Sequence, residues 1–101
     1  MKKIINGKKY STETAAQMGE WQSSGSYTDF SFRHETLYRK RTGEFFLYGT
    51  GGAMTRWSQP DGDGLRGGEG IEPLTEGAAR KWAERHLSAD EYESIFGDVE
   101  E

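Results

Sequence analysis

The chain has 101 residues, 17 acidic and 13 basic side chains, a net charge of -4 at pH 7 and no cysteine, which excludes disulfides, thiolate zinc sites and cysteine nucleophiles. One domain fits this length. The hydrophobic content of 33% is low, but the 13% aromatic content favours a folded chain with a small core over disorder. Neither a signal peptide nor a run of about 20 apolar residues is predicted, so we expect a cytoplasmic protein.

Charge is divided unevenly along the chain. Residues 1–56 hold nine Lys or Arg against five Asp or Glu, whereas residues 57–101 hold four against twelve. Two solvated faces are the ordinary interpretation. The functional one is an acidic second half that meets a basic partner, or a basic first half that meets an acidic one.

The first predicted elements are a small ribbon and a short helix. Asn6-Gly7 lies between apolar residues, a strong hairpin signal, so residues 2–5 and 8–10 are predicted to pair. A Ser-Thr pair would then cap a short N-terminal helix over residues 12–18.

A β-hairpin at about residues 36–48 is the strongest pattern in the chain, with Thr42-Gly43 as its turn. A two-residue turn would pair Arg39 with Phe46, whereas a type I turn with a glycine bulge shifts the pairing by one residue. Since this slip exchanges the side chains that meet across the pair, the sequence leaves the register open.

Short strands are predicted on both sides of the hairpin. Residues 30–33 alternate phenylalanine with polar residues, which indicates a strand or an ordered approach to one. Residues 49–70 hold eight of the fourteen glycines and are predicted to form a long loop. Within and after that loop, residues 53–57 and 70–74 are predicted as a third strand and an edge strand that Pro73 ends.

The C-terminal part has the clearest helical pattern. Thr75 is a good N-cap, and apolar residues recur at helical spacing over 75–87. A capping box from Ser88 to Glu91 then begins a second helix at 89–96.

These elements predict an α+β fold in one domain, residues 1–97, followed by an acidic tail at residues 98–101. A small antiparallel β-sheet centred on the 36–48 hairpin is covered on one face by the two C-terminal helices, and the short N-terminal helix packs at an edge. The predicted core residues are Leu37, Phe45, Leu47, Trp82, Leu87, Tyr92, Ile95 and Phe96.

No motif for catalysis or metal binding is evident. His34 and His86 lie outside ligand motifs, and residues 61–64 and 49–52 match only fragments of calcium and phosphate loops. We therefore expect a protein that is not an enzyme and uses no cofactor, and an enzyme built on the glycine loop is the weakest hypothesis.

Two charged surfaces are candidates for binding. The basic hairpin interleaves cations with Tyr38, Phe46 and Tyr48, so cations would meet phosphates while aromatic rings stack on bases. Its cations are Arg33, Arg39, Lys40, Arg41 and Arg56. The acidic half offers spaced carboxylates that would imitate a phosphate track and occupy a nucleic-acid channel on another protein. These partner-binding candidates are Glu84, Asp90, Glu91, Glu93 and Asp98.

Five runs of sequence form a distinctive combination: residues 35–49, 51–55, 73–76, 79–84 and 90–97. In this combination the chain resembles a family of small accessory proteins from phages and other mobile elements of Firmicutes. The resemblance implies a context in which such proteins inhibit host defences, including CRISPR systems, and it brings no catalytic motif. The predicted function is a non-catalytic inhibitor that binds and occupies a defence nuclease. The alternative is a small nucleic-acid-binding or regulatory module that uses the basic hairpin.

Overall fold

The computed structural model describes residues 1–26 and 28–101, and within them the chain forms eight strands and two helices, all helices being C-terminal. In chain order the elements are β1 (Lys2–Ile5), β2 (Lys8–Ser11), β3 (Ala16–Gln22), β4 (Arg33–Arg39), β5 (Phe45–Gly51), β6 (Gln59–Asp61), β7 (Gly64–Arg66), β8 (Gly68–Leu74), α1 (Glu76–His86) and α2 (Ala89–Phe96). The fold is α+β, as predicted, and the described residues form three antiparallel sheets: the predicted ribbon of β1 and β2, the central sheet, and a further two-stranded sheet of β6 and β7.

A four-stranded antiparallel sheet in the order β3-β4-β5-β8 positions the other elements. Its centre is the predicted hairpin, and Leu37 lies opposite Leu47. At the turn, the N–H of Lys40 donates to the carbonyl of Glu44 and the N–H of Gly43 donates to the carbonyl of Lys40. Gly43 has φ +94°. Of the two registers that the sequence leaves open, the chain adopts the one with the glycine bulge.

The prediction of an N-terminal helix at residues 12–18 is wrong. Residues 12–15 form turns, and β3 then pairs with β4 as an edge strand, with a register shift between Gln17 and Gly19. A helix of under three turns has little stability of its own. The strand instead packs Met18 and Trp21 against the larger apolar cluster, so tertiary contacts override the local preference.

The segment after the hairpin contains more structure than a loop. The prediction of a strand at residues 53–57 is wrong, because these residues form turns. The edge strand predicted at residues 70–74 is confirmed as part of β8. Residues 30–31 form a turn and β4 begins at Arg33, so the segment 30–33 is an approach to a strand, the second of the two predicted possibilities. The β6–β7 ribbon, which lies inside the glycine-rich segment, was not predicted.

The two faces of the central sheet belong to separate apolar clusters. The buried residues of the cluster under the helices are Leu37, Phe45, Leu47, Trp57, Ala79, Trp82 and Ala83. The predicted core residues Leu87, Tyr92, Ile95 and Phe96 are partly buried at its border. On the opposite face, the β1–β2 ribbon covers the sheet with a smaller cluster that contains Tyr10, Phe46 and Ile71. Neither Trp57 nor this second cluster was among the predicted core residues.

The ribbon and the two helices begin and end within one residue of the predicted bounds. Asn6 and Gly7 have φ +52° and +78°, as a two-residue ribbon turn requires. The Thr75 side chain accepts a hydrogen bond from the N–H of Ala78, and the predicted capping box begins α2. In the part of the chain that the structure describes, no helix has the length and apolar character needed to cross a membrane.

Candidate functional site

An open groove lies between α1, α2 and the C-terminal tail. It has a volume of about 590 Å³, and its lining is Ala83, Glu84, Leu87, Ser88, Ala89, Tyr92, Glu93 and Val99. Two of the predicted partner-binding residues, Glu84 from α1 and Glu93 from α2, therefore lie in one groove. Leu87, Tyr92 and Val99 supply apolar surface between them, and Val99 is 56% exposed.

The short link between the helices creates this groove. Leu87 ends α1 and Ser88 begins α2, so only two residues separate the helical segments. The Glu91 carboxylate accepts the Ser88 N–H at 3.1 Å, while the Ser88 hydroxyl accepts the Glu91 N–H at 3.2 Å. Arg80 ties the helices together, because its guanidinium lies 4.7 Å from the Phe96 ring centroid.

The five predicted partner-binding residues have different surroundings. Glu84 and Glu93 line the groove, and the N–H of Val99 donates to Glu93 Oε2 at 3.2 Å, which brings the tail residue Asp98 back toward α2. Asp90 and Glu91 lie in the first turn of α2, where carboxylates favour the helix dipole. Glu91 already caps the helix, so it has a structural role whatever its part in binding.

The predicted basic hairpin is not one continuous surface. Arg39, Lys40 and Arg41 lie at the turn end of β4, whereas Arg33 begins the strand about 20 Å away. Arg33 lies over the Trp21 ring, with its guanidinium 5.0 Å from the ring centroid. The fifth predicted cation, Arg56, stacks on the Trp57 ring at 4.7 Å and forms an ion pair with Glu72. Arg33 and Arg56 therefore contact other parts of the fold, Arg33 at the far end of β4 and Arg56 on the edge strand β8, and neither joins the three cations at the turn.

The aromatic residues of the hairpin are not free to stack on bases. Phe46 is completely buried, so its predicted contact with nucleic acid is wrong. Tyr38 stacks on Phe46 with ring centroids 5.2 Å apart. The Tyr48 hydroxyl donates to Glu69, and burial raises the pKa of Tyr48 to about 12.

A buried carboxylate anchors the opposite end of the sheet. Glu35 is 1% exposed, and its two oxygens accept hydrogen bonds from Trp57 Nε1 at 2.8 Å and from Trp82 Nε1 at 2.9 Å. Arg33 Nε lies 3.9 Å from the same carboxylate. Glu35 was not predicted as a functional or core residue, although its position two residues before Leu37 places both on the same face of β4.

His86 lies next to this anchor at the end of α1. Its ring stacks on Trp21 with centroids 3.9 Å apart and lies 5.3 Å from Trp82. Burial lowers the pKa of His86, the charges of Arg33 and Arg85 lower it further, and the carboxylate of Glu35 opposes them. This environment favours the neutral imidazole.

His86 should therefore make stability depend on pH. Because its pKa is lower in the folded chain, the unfolded chain takes up the proton first as the pH falls. The contribution of neutral His86 to the free energy of unfolding is fully present above about pH 6.5, the ordinary pKa of histidine. It is lost as the pH falls through the lower pKa that His86 has in the folded chain. In urea titrations between about pH 7 and pH 5.5, we expect His86→Gln to flatten this decline. A decline of unchanged slope in that variant would contradict the assignment, and His34→Gln is the control that should retain it.

The acidic residues do not form a metal site of the usual kind. Across residues 1–26 and 28–101, no group of three or more His, Asp or Glu side chains is arranged to hold a metal ion. The groove itself offers carboxylates, hydroxyl groups and apolar surface.

We compared the chain with protein families, with curated proteins and with solved structures. No protein-family model, curated protein or solved structure matches this chain. The resemblance to small accessory proteins of mobile elements thus stays a prediction, and the function is inferred from the site.

Proposed function

We propose that this protein is a non-catalytic binding protein that uses the groove between α1 and α2, with its acidic residues, to occupy a basic surface on a protein partner. The proposal rests on one observation. Glu84 from α1 and Glu93 from α2 line the same groove as the apolar side chains of Leu87, Tyr92 and Val99. Apolar centres with a polar border are typical of protein interfaces.

Charge identifies the class of partner. Residues 57–101 carry twelve acidic against four basic side chains, and both helices and the tail belong to this half. A field of one sign speeds the approach of an oppositely charged partner and disfavours partners of like charge. A nucleic-acid-binding protein exposes Lys and Arg where it holds phosphates, so its channel is the basic surface that the groove would fit.

The resemblance to accessory proteins of phages and mobile elements suggests which nucleic-acid-binding protein this is. We propose a bacterial defence nuclease of the CRISPR type, inhibited because the acidic groove and tail occupy its nucleic-acid channel. Inhibition by occupation requires only affinity and shape, in agreement with a chain in which we predict no catalytic role.

Charge reversal in the groove tests the proposal. We expect Glu84→Lys with Glu93→Lys to weaken binding to the partner by at least about tenfold, because two carboxylates that face basic groups become repulsive. Asp61→Lys with Asp63→Lys is the control, since it makes the same change of net charge on the exposed β6–β7 ribbon. Glu91 is a poor choice for reversal, because the loss of its cap would destabilise α2.

The partner is identified by affinity capture from bacterial lysate, treated with nuclease and read by mass spectrometry. A near-stoichiometric protein that the groove variant loses and the ribbon variant retains supports the proposal. Purified target nuclease should then cleave its substrate more slowly with the native chain than with the groove variant. Equal capture by both variants, or cleavage unchanged at saturating concentration, would overturn the proposed mechanism.

A further inference from the structure

The turn end of the β4–β5 hairpin lies beside the β1–β2 ribbon, and their side chains enclose a hollow with a volume of about 240 Å³. Its lining consists of three cations and three hydroxyls: Lys9, Lys40, Arg41, Ser11, Thr14 and Thr42. A neighbouring hollow shares Thr14, Lys40 and Arg41 and adds Arg39. We call the two together the basic hollow. Every charged or hydroxyl group in it can donate a hydrogen bond.

The charge of this end is opposite to that of the rest of the chain. Residues 1–15 and 39–44 hold seven Lys or Arg against two Asp or Glu, a balance of +5, so the remaining residues carry -9 to give the total of -4. Glu44 is shared by Lys8 at 3.0 Å and Lys40 at 3.5 Å. Among the described residues, Lys9 and Arg41 form no ion pair, so they are available for a ligand.

Lys40, which lines both parts of the basic hollow, is held in place before any ligand arrives. The Lys40 ammonium lies 4.2 Å from the Tyr10 ring centroid, and the Lys40 side chain is only 16% exposed. Tyr10 is itself fixed, because its buried ring packs edge-on against Phe46 with centroids 5.6 Å apart. A cation that is already ordered loses little side-chain entropy on binding.

We propose that the basic hollow binds the phosphate backbone of nucleic acid without reading its sequence. Nucleic acid carries a row of closely spaced negative charges, about one per 1.7 Å of duplex axis, and the local balance of +5 is complementary to such a row. Tyr10 and Phe46 are buried, so they offer no platform for bases, and binding would depend on phosphate contacts alone. This surface is separate from the groove between the helices.

Fluorescence anisotropy with a labelled oligothymidylate and a labelled DNA duplex tests the site. Nonspecific dissociation constants of about 10–100 µM are expected near physiological salt. Three or four phosphate contacts are expected: those of Lys9, Lys40 and Arg41, with or without Arg39. A plot of the logarithm of the duplex binding constant against the logarithm of the salt concentration should then have a slope of about -3 to -4. Lys9→Gln with Arg41→Gln should reduce the magnitude of the slope by about 2, because two phosphate contacts are lost.

The control is Lys81→Gln with Arg85→Gln, two exposed cations of α1 with the same total change of charge. Circular dichroism establishes that each variant is folded. Binding of either probe that weakens only in the hollow variant supports the site, and the two probes show whether single strands or duplexes are preferred. Three results would overturn it: no binding of either probe at low salt, equal weakening in both variants, or tighter binding of polyglutamate than of DNA. None of these results bears on the groove, which lies on other elements.

Discussion

Replacement of Glu35 by alanine is expected to lower the free energy of unfolding by about 3–5 kcal/mol, a large part of the stability of a small domain. Both oxygens of this carboxylate accept indole hydrogen bonds, and the residue is 1% exposed. In the variant, the N–H groups of Trp57 and Trp82 lose their partners inside the protein. Each unsatisfied donor costs about 1–3 kcal/mol, and the missing side chain leaves a cavity.

Urea unfolding followed by tryptophan fluorescence measures this change, because the tryptophans themselves bind the carboxylate. Glu35→Gln should have an intermediate effect, since its one carbonyl oxygen still accepts from an indole while its amide nitrogen does not. Glu20→Ala in β3 is the control, because Glu20 is exposed and, among the described residues, its side chain pairs with His34 alone, at 3.2 Å. A loss below about 1 kcal/mol for Glu35→Ala would show that the carboxylate does not anchor the helices to the sheet.

Glu35 also shows why part of this fold was out of reach from the sequence. Its partners are 22 and 47 residues away, and no local pattern connects them. The elements that were predicted correctly depend on neighbours in sequence: Asn6 and Gly7 turn the ribbon, and the capping box from Ser88 to Glu91 begins α2. Residues that are close together in the sequence determine these features, so the features can be predicted from the sequence.

The failed N-terminal helix has the same explanation. Residues 12–18 favour a helix only weakly, whereas the edge of β4 offers a row of backbone hydrogen bonds that β3 satisfies. The competing partner lies near residue 36, too far along the chain for a helical pattern to reveal it. Tertiary contacts therefore decide the conformation of this segment.

The sequence named candidate residues for each charged surface, but it did not show which of these residues lie together in the folded chain. Charge along the chain predicted Glu84 and Glu93 as partner-binding residues, and the structure adds that both line one groove together with Val99. The same reasoning grouped Arg33 with Arg41, which the length of β4 separates. Spacing along a strand would have separated these two cations, but only the fold shows that Lys9 lines the hollow at the turn.

Gly49→Ala is the second variant for which we expect a large effect, a loss of about 2–3 kcal/mol in the free energy of unfolding. Gly49 lies opposite Gly70 on the neighbouring strand, and the Trp57 ring covers both. A Cβ added at Gly49 would overlap that ring, and one added at Gly70 would lie 3.2 Å from it. The alanine therefore displaces Trp57 and weakens its hydrogen bond to Glu35.

A double-mutant cycle with Trp57→Leu isolates this mechanism. If the alanine acts by displacing the indole, Gly49→Ala should cost much less in the Trp57→Leu chain, with an interaction energy of about 1–3 kcal/mol. Gly77→Ala is the matched control, because its nearest contact for an added Cβ is the Thr75 hydroxyl at 4.0 Å. It should leave stability unchanged or raise it by up to about 1 kcal/mol, since alanine favours a helix over glycine. Equal costs of Gly49→Ala in both backgrounds would instead place its effect in the backbone of β5, and the ring of Trp57 would not be the reason that glycine is required there.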